Sequence, residues 1–287
     1  MSRLTRRQFL AGTLATGAVY AAGGQPAGAR AARTMTDQVP LGRTGIRVSR
    51  LAFGTGTKGW EQQSNQTRLG GEAFGRLLRH AYARGITYFD AADIYGTHRY
   101  LRQALKGFPR ASYVLSSKCW YRTTQGIQAD LDRFLREVGS DYLDMMHLHA
   151  VTDATWPTDL RPLMEVLETA KQQGRIRAHG LSIHSLEAMQ AAAACDWVDV
   201  AVCRVNHVGE KMDASPDQVV PVVRHLHQAG KGVVAIKLLG EGTIAAQRQD
   251  SLRFVLGLGC VDSLVIGFES TAQVDDLVKL GNRILAG

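Results

Sequence analysis

Short apolar runs alternate with amphipathic segments along most of the chain. Each apolar run is rich in β-branched or aromatic residues and has the length of a single buried strand. The segments between them repeat apolar residues every three or four positions, which is typical of helices with one buried face. The predicted strands cover residues 51–54, 87–90, 113–117, 142–148, 176–182, 198–203, 233–236 and 263–266. Clear helical patterns cover residues 72–83, 128–138, 164–172 and 221–228.

This order of strands and helices indicates the fold class. Eight strands, each followed by a helical pattern, fit one α/β domain of about 250 residues, a (β/α)8 TIM barrel. Ahead of the first barrel strand, a glycine-containing turn at residues 41–45 and an extended stretch at 46–49 predict a β-hairpin. No linker or change of composition divides the rest of the chain. We therefore expect residues 30–287 to form a single domain.

The first 29 residues have a different pattern. Arg6 and Arg7 form a twin-arginine pair, followed by a mild apolar run at residues 10–22 and small residues at 27–29. This combination predicts a twin-arginine signal peptide over residues 1–29, removed to leave a mature protein that starts near Arg30. The apolar run is too short and too rich in glycine and alanine for a stable membrane span. We expect the twin-arginine export machinery as a partner and a periplasmic or secreted bacterial protein; a disordered basic tail is the alternative.

Charge and cysteine content narrow the classes of function. The chain has a formal charge of +8, and residues 1–29 carry three arginines and no acid, which leaves +5 on the mature protein. No basic run contains interleaved aromatic residues, so nucleic-acid binding is not predicted. The four cysteines lack the spacing of a zinc site or a disulfide framework. Cys119, next to Lys118, is the one for which a lowered pKa is expected.

Polar residues follow three successive predicted strands. One strand ends at Asp90, and Tyr95 follows in a loop five residues later. The next strand is followed by Lys118, and the third ends in His147 and His149, which share one side of the strand. In a parallel barrel these ends meet at one edge. An ammonium there lowers the pKa of a phenol, and a carboxylate keeps the ammonium charged, so the pattern predicts a proton-donor site.

Residues 90–96 and 141–149, with Lys118 between them, resemble the signature of the aldo-keto reductases, and the resemblance extends over residues 39–280. It implies a (β/α)8 barrel whose bottom is closed by the N-terminal hairpin. It also implies a catalytic tetrad, which consists of Asp90, Tyr95, Lys118 and His149. His147 takes a position that varies within the family. The implied reaction is hydride transfer between a nicotinamide cofactor and a small-molecule carbonyl or alcohol substrate, with the tyrosine as general acid or base.

The resemblance further implies residues that bind the cofactor. Gly54 and Thr55 match positions near the nicotinamide and pyrophosphate, and Ser182 matches a serine that bonds the carboxamide. Lys237 stands where a pyrophosphate contact is usual, and Asn206 is expected to contact cofactor or substrate. Other positions depart from the family's pattern, and each missing hydrogen bond weakens binding by about 1 kcal/mol. The departures are Ile183, Val202 or Cys203, and Ile236.

The end of the chain is expected to bind the adenosine half of the cofactor. Gly267 matches a position in the family's motif at the start of this region. Ser270 is a candidate N-cap of a helix whose N-terminus can bind phosphate. The nearby Glu269 would repel a 2′-phosphate but accept a hydrogen bond from a 2′-hydroxyl, which favours NAD. The usual cofactor of the family is NADP, so the sequence leaves the choice between NADP or NAD as the cofactor open.

Two alternatives to a nicotinamide-dependent enzyme remain at this stage. The altered carboxamide contacts are compatible with an exported cofactor-binding or regulatory barrel that has little turnover. The second alternative is a metal-dependent barrel enzyme, because His149, His184 and His207 follow three successive strands. No carboxylate spacing completes such a site, so no metal ligands are assigned. Trp60 and Trp120 are candidates either for an apolar substrate wall or for packing over the barrel rim.

Overall fold

Residues 33–120 and 122–287 are described by a computed structural model of the chain. The predicted signal peptide and its cleavage site lie outside the described residues, so export and the domain boundary at residue 30 stay predictions. Within the described residues, no helix is both long and apolar enough to cross a membrane.

An antiparallel hairpin precedes the barrel and closes its N-terminal end. It pairs β1 (Gln38–Pro40) with β2 (Arg47–Ser49). Three apolar side chains of the hairpin are buried and pack against the inward-facing residues of the barrel: Leu41, Ile46 and Val48. The Asp262 carboxylate accepts hydrogen bonds from the backbone N–H of Gly42 at 3.1 Å and of Val233 at 2.9 Å. These bonds tie the hairpin turn to the base of the barrel, as the sequence predicts.

Eight parallel strands follow and form a closed barrel, which confirms the predicted (β/α)8 architecture. Their apolar runs are continuous because both faces are buried, one by the barrel interior and one by the surrounding helices. The strand β10 closes the ring by pairing with both β9 and β3. In chain order the strands are β3 (Leu51–Gly54), β4 (Tyr88–Asp90), β5 (Val114–Cys119), β6 (Leu143–Val151), β7 (Ile176–Ile183), β8 (Val200–Arg204), β9 (Gly232–Ile236) and β10 (Ser263–Gly267).

Helices fill the connections between the strands. The predicted helices are all present, but they begin one to five residues earlier than the apolar periodicity indicates. Capping residues and prolines of the first turn carry no apolar periodicity, so the pattern hides the true starts. In the described residues the helices are α1 (Asn65–Arg68), α2 (Gly71–Ala83), α3 (His98–Leu105), α4 (Thr124–Val138), α5 (Trp156–Asp159), α6 (Arg161–Gln172), α7 (Leu186–Ala194), α8 (Pro216–Gln228), α9 (Arg248–Gly257) and α10 (Thr271–Ala286).

The parallel register brings the C-terminal ends of the strands to one edge of the barrel. Asp90 of β4 pairs with Gly54 of β3 on one side and with Ser116 of β5 on the other. Lys118 of β5 pairs in turn with His147 of β6. Side chains far apart in sequence therefore meet at this edge, where enzymes of this architecture carry their active sites.

Candidate active site

A buried ion pair lies at the C-terminal edge of the barrel. Lys118 is only 1% exposed, and its ammonium donates hydrogen bonds to both carboxylate oxygens of Asp90 at 2.7 Å. It also donates to the carbonyl oxygen of Ala91 at 2.9 Å, while Ser116 Oγ donates to Asp90 Oδ1 at 2.7 Å. Burial lowers the pKa of Lys118, and the Asp90 carboxylate opposes this change. Each buried charge thus has a close partner, which a charge away from water requires.

Tyr95 ends a short 3-10 turn, Asp93–Tyr95, that follows β4. Its ring lies directly against the backbone of the loop after β3. A Cβ atom would lie only 2.2 Å from the ring at Gly56 and 2.3 Å from it at Gly59. Both loop positions therefore require glycine for the ring to take this place. The Lys118 ammonium lies 5.4 Å from the centroid of the same ring.

The turn that carries Tyr95 is fixed from both sides. From the loop after β3, Gln62 donates its backbone N–H to Ile94 O at 2.9 Å and its side-chain amide to Asp93 O at 2.8 Å. From α4, Arg133 donates to Asp93 Oδ1 at 2.7 Å. These contacts hold the tyrosine in place before any ligand binds, which is the geometric condition for efficient proton transfer.

The phenol of Tyr95 is protonated at neutral pH. Burial raises its pKa above the ordinary value, and the Asp90 carboxylate adds to the rise. This result corrects the expectation that Lys118 lowers the pKa of the phenol. The lysine directs its hydrogen bonds to Asp90 and Ala91, so burial and the carboxylate dominate at the tyrosine. The protonated phenol is the form that can donate a proton to a carbonyl oxygen.

An irregular segment of β6 places His149. The register with β7 shifts between Leu148 and Val151, and Ala150 has a φ of +54°, which is uncommon for a residue with a Cβ. Arg122 donates a hydrogen bond to the backbone oxygen of His149 and thereby holds this bulge from the end of β5. Bulges of this kind are known to redirect a side chain beside an active site.

The His149 ring faces Tyr95 as a neutral imidazole. The two ring centroids lie 5.9 Å apart with an interplanar angle of 85°. Burial, followed by the charge of Lys118, lowers the pKa of His149 well below its ordinary value. The neutral ring has one N–H donor and one acceptor nitrogen. His149 can therefore orient a carbonyl oxygen by hydrogen bonding without carrying a charge.

The three histidines that follow successive strands do not all come together. His149 and His184 are neighbours, with ring centroids 6.2 Å apart. His207 instead bonds through Nε2 to Gln247 Oε1 at 2.9 Å. Across residues 33–120 and 122–287, no group of three histidine, cysteine or acidic side chains is arranged to hold a metal ion. Burial, followed by the charge of Arg204, lowers the pKa of His184 to about 3, so this ring is neutral as well.

A cleft of about 390 Å³ begins at the ion pair and Tyr95 and extends to α9 and α10. Its walls include apolar side chains of β10 and of the loop after β9, such as Val265 and Leu238. Six residues that the sequence nominates line this cleft: Gly54, Asp90, Tyr95, Lys118, Lys237 and Gly267. The structure therefore joins the proposed proton donor and part of the proposed cofactor site in one continuous space.

The side chains of two nominated cofactor residues form hydrogen bonds within the protein. Thr55 is fully buried, and its hydroxyl donates to Asp90 O at 2.9 Å and lies 2.8 Å from Thr97 Oγ1. The Asn206 side chain donates to the backbone oxygens of Glu210 and Lys237 and accepts from three backbone N–H groups of its own loop. Both ends of its amide are thus used within the protein, and the contact of Asn206 with cofactor or substrate stays a prediction.

The two nominated serines do not line the cleft. Ser182 is buried at the end of β7, and its Oγ lies 3.3 Å from His184 Nε2. Ser270 is the N-cap of α10, as predicted, and accepts a hydrogen bond from the Gln273 N–H at 3.3 Å. Both hydroxyls keep further hydrogen-bonding capacity for a bound ligand.

Two ion pairs line the cleft, and of their four members the sequence nominates only Lys237. Lys237 and Glu241 form an ion pair, and Arg248 Nε lies 2.9 Å from Asp276 Oδ2. Both pairs line the cleft, but the arginine and its aspartate belong to different helices and match no motif. Only the packing of α9 against α10 brings these two side chains together.

The two tryptophans lie at the barrel mouth. Trp60 is 54% exposed and Trp120 is 39% exposed, and their ring centroids are 5.6 Å apart, edge to face. The ring of Trp120 also lies 5.4 Å from the ring of His149. The two rings contact each other at the mouth, and neither lines the cleft, so a substrate wall stays a prediction.

The expectation of a lowered pKa for Cys119 is wrong. The thiol is buried, and burial raises its pKa to about 12, with a further rise from Asp130. Its Sγ lies 3.3 Å from His147 O, inside the wall of the barrel. The four cysteines are all free, in agreement with the prediction that they form no disulfide framework.

Comparison with known proteins identifies the family. The sequence profile described as "Aldo/keto reductase family" matches residues 50–257, which is well over half of the chain. The chain belongs to the aldo/keto reductase family. The resemblance inferred from the residues around Asp90, Lys118 and His149 is thereby confirmed at the level of the family.

Among similar aldo/keto reductases, L-galactose dehydrogenase of Arabidopsis thaliana is 24% identical over 221 residues, which cover 72% of this chain and 66% of the dehydrogenase. The chain spans between 46% and 66% of the length of the curated relatives that it matches. The holo form of an aldo-keto reductase from Bacillus halodurans aligns with a TM-score of 0.71 and 18% identity, covering 87% of this chain and 95% of that one. An aldo-keto reductase from Klebsiella pneumoniae in complex with NADPH aligns with a TM-score of 0.63 and 20% identity, covering 86% and 89%. These structures share the fold.

Proposed function

We propose that this protein is an NAD(P)(H)-dependent oxidoreductase that interconverts small aldehydes or ketones and the corresponding alcohols. The observation that carries the proposal is the meeting of a protonated Tyr95 and the Lys118–Asp90 pair at one end of the cleft, with the neutral ring of His149 beside Tyr95. A structural core has no need for a buried lysine beside a tyrosine, whereas carbonyl reduction needs a positioned acid. Membership of the aldo/keto reductase family supports the same reaction.

The residues of the chain divide the chemical work among them. A bound nicotinamide supplies the hydride, and the protein must position the carbonyl and supply the proton. Tyr95 donates its phenolic proton to the carbonyl oxygen in reduction and accepts a proton in the reverse direction. Neutral His149 donates a hydrogen bond to the same oxygen and fixes its direction. Asp90 holds Lys118 in the wall of the site, with its ammonium 5.4 Å from the centroid of the Tyr95 ring.

The cleft has the features that a dinucleotide requires. Its volume of about 390 Å³ falls in the usual range of ligand pockets, roughly 300–1,000 Å³. Gly54 and Gly267 line its wall, as does the ammonium of Lys237, which is paired with Glu241. The N-terminus of α10, capped by Ser270, can bind a phosphate group. These residues would hold the cofactor, with the nicotinamide end nearest Tyr95.

The proposal is tested by mixing the purified protein with NADH or NADPH and a panel of small aldehydes and ketones. The expected result is a substrate-dependent loss of absorbance of the reduced nicotinamide, at rates in the range of about 1–10³ s⁻¹ for a good substrate. A matched reaction with Lys118→Met provides the control for contaminating reductases. Tight dinucleotide binding without turnover on any carbonyl would favour the alternative of a cofactor-binding barrel with little activity.

We further propose that the protein is exported by the twin-arginine machinery to the periplasm or the medium. The support is the sequence of residues 1–29, in which a twin-arginine pair precedes an apolar run and a small-residue cleavage site. In a bacterium with this machinery, replacing Arg6 and Arg7 together by lysine should leave the protein in the cytoplasmic fraction, while Arg3→Lys should not affect its location. A cytoplasmic location of the unchanged protein would overturn the proposal.

A further inference from the structure

We propose that the cleft selects NAD(H) over NADP(H), with Glu269 as the residue that determines the choice. The inference rests on the proposed function, because it assumes that the cleft binds a nicotinamide dinucleotide. It is carried by two observations: the position of a tethered carboxylate at the end of the cleft far from Tyr95, and the pairing of the cations that line the cleft.

The residues at the two ends of the cleft determine how a dinucleotide would be oriented in it. Tyr95 and Lys118 lie at one end, and Arg248, Glu269 and Asp276 lie at the other, around the start of α10. The reacting nicotinamide must lie beside the proton donor. The adenosine half, with its ribose 2′ position, therefore extends towards the second end.

Glu269 is held in place at that end. Asn65 of α1 donates a side-chain hydrogen bond to Glu269 Oε1 at 2.7 Å, and the Glu269 N–H donates to Gln273 Oε1 at 2.7 Å. Glu269 is exposed and lines the cleft, and in the described part of the chain no lysine, arginine or histidine nitrogen lies within 4 Å of its carboxylate. A fixed carboxylate accepts a hydrogen bond from a ribose 2′-hydroxyl, whereas it repels a 2′-phosphate.

The cations of the cleft offer no compensation for that repulsion. Three cationic side chains are among the described residues that line the cleft, and each already has a carboxylate partner. The pairs are Lys118 with Asp90, Lys237 with Glu241, and Arg248 with Asp276. Glu269 is the additional acid, so these lining residues carry a net charge of −1. A 2′-phosphate brings about two further negative charges. If Arg248 turned to that phosphate, it would leave the Asp276 carboxylate unpaired beside it.

One further cation lies close to this end without lining the cleft. Arg68 of α1 donates to Asn65 Oδ1 at 3.2 Å, on the same asparagine that tethers Glu269. Its guanidinium is directed at the amide oxygen of that asparagine. We therefore expect Arg68 to contribute nothing to dinucleotide choice, and the experiment includes it as an independent check.

The test is a titration of the purified protein with NADH and with NADPH, followed by quenching of tryptophan fluorescence or by calorimetry. We expect the Kd for NADH to be at least about tenfold lower than that for NADPH at low ionic strength, and the ratio to shrink in high salt as charges are screened. Glu269→Gln keeps the size of the side chain and should improve NADPH binding by about tenfold. Glu187→Gln, an exposed acid on α7 outside the cleft, is the matched control for net charge and should change neither Kd.

The outcomes separate this inference from the proposed function. Binding of both dinucleotides with NADPH preferred, or a Glu269→Gln variant with an unchanged ratio, would overturn the inference and leave the proposed function intact. A loss of NADPH affinity in Arg68→Gln would assign the 2′ position to that arginine and likewise overturn the role of Glu269. Failure to bind either dinucleotide would overturn both proposals together.

Discussion

Replacing Tyr95 by phenylalanine should lower kcat for carbonyl reduction by a factor of about 10²–10⁴, the usual contribution of a positioned general acid. The Tyr95 ring packs against the backbone of Gly56 and Gly59, and phenylalanine keeps those contacts. Only the proton donor is lost, so the Kd of the reduced cofactor and the melting temperature should change little. Steady-state kinetics with a saturating reduced cofactor, together with a binding titration, measure both quantities.

Tyr100→Phe is the matched control for this experiment. Its hydroxyl accepts a hydrogen bond from Arg99 on the outside of α3 and does not line the cleft. The control should keep the full rate. A Tyr95→Phe variant with more than about a tenth of the original kcat would contradict the assignment of the phenol as the proton donor.

The direction of the Tyr95 pKa shift gives the same experiment a pH dependence. Because burial raises the pKa of Tyr95, the phenol keeps its proton at least to its ordinary value of about 10. Reduction uses the protonated form, so kcat/KM for the carbonyl should stay level between about pH 7 and pH 9. Alcohol oxidation uses the deprotonated form and should rise with pH over the same interval. A reduction rate that falls over this range would show that the phenol titrates lower than its surroundings indicate.

Replacing Asp90 by alanine should lower the free energy of unfolding by about 3–5 kcal/mol and abolish activity. The Lys118 ammonium, which is 1% exposed, would lose both carboxylate bonds and keep only the Ala91 carbonyl oxygen as a partner. Removing one member of a buried ion pair leaves an uncompensated charge, and the cost of that charge dominates. Chemical denaturation monitored by circular dichroism gives the change.

A double variant separates the cost of the orphaned charge from the cost of the lost side chain. Asp90→Ala combined with Lys118→Met removes both charges. The methionine side chain is apolar, has a similar length and fills the space that the lysine side chain occupied. The double variant should recover about half or more of the stability that Asp90→Ala loses, while activity stays absent. If the double variant is no more stable than the single one, the loss arises from the cavity and from Ser116 Oγ, which donates to the same carboxylate.

The barrel and the meeting of its reactive groups were predictable from the sequence. The strand predicted over residues 51–54 agrees with β3 (Leu51–Gly54), and the others differ from the predicted bounds by one to three residues. Apolar runs buried on both faces fix such strands locally. A parallel barrel then requires the ends of neighbouring strands to meet, so Asp90 and Lys118 come together for topological reasons.

Roles that depend on loop geometry were not predictable. Asn206 follows a predicted strand, but only the structure shows that its amide bonds to the backbone of its own loop. The bulge at Ala150 and the hydrogen bond from Arg122 that holds it have no local signal either. In both cases the hydrogen-bond partners of a polar side chain are decided by backbone conformation, which a pattern of residue types does not specify.

The sequence by itself determined the fold, the family and the identity of the groups that meet around Tyr95, because periodicity and motif spacing are local properties of the chain. The tertiary structure decided the electrostatics. It showed that burial and Asp90 raise the pKa of Tyr95, and that Arg248 is matched by Asp276 in the cleft. A charge interaction depends on distance and on the surrounding dielectric, and both are set only when segments distant in sequence pack together.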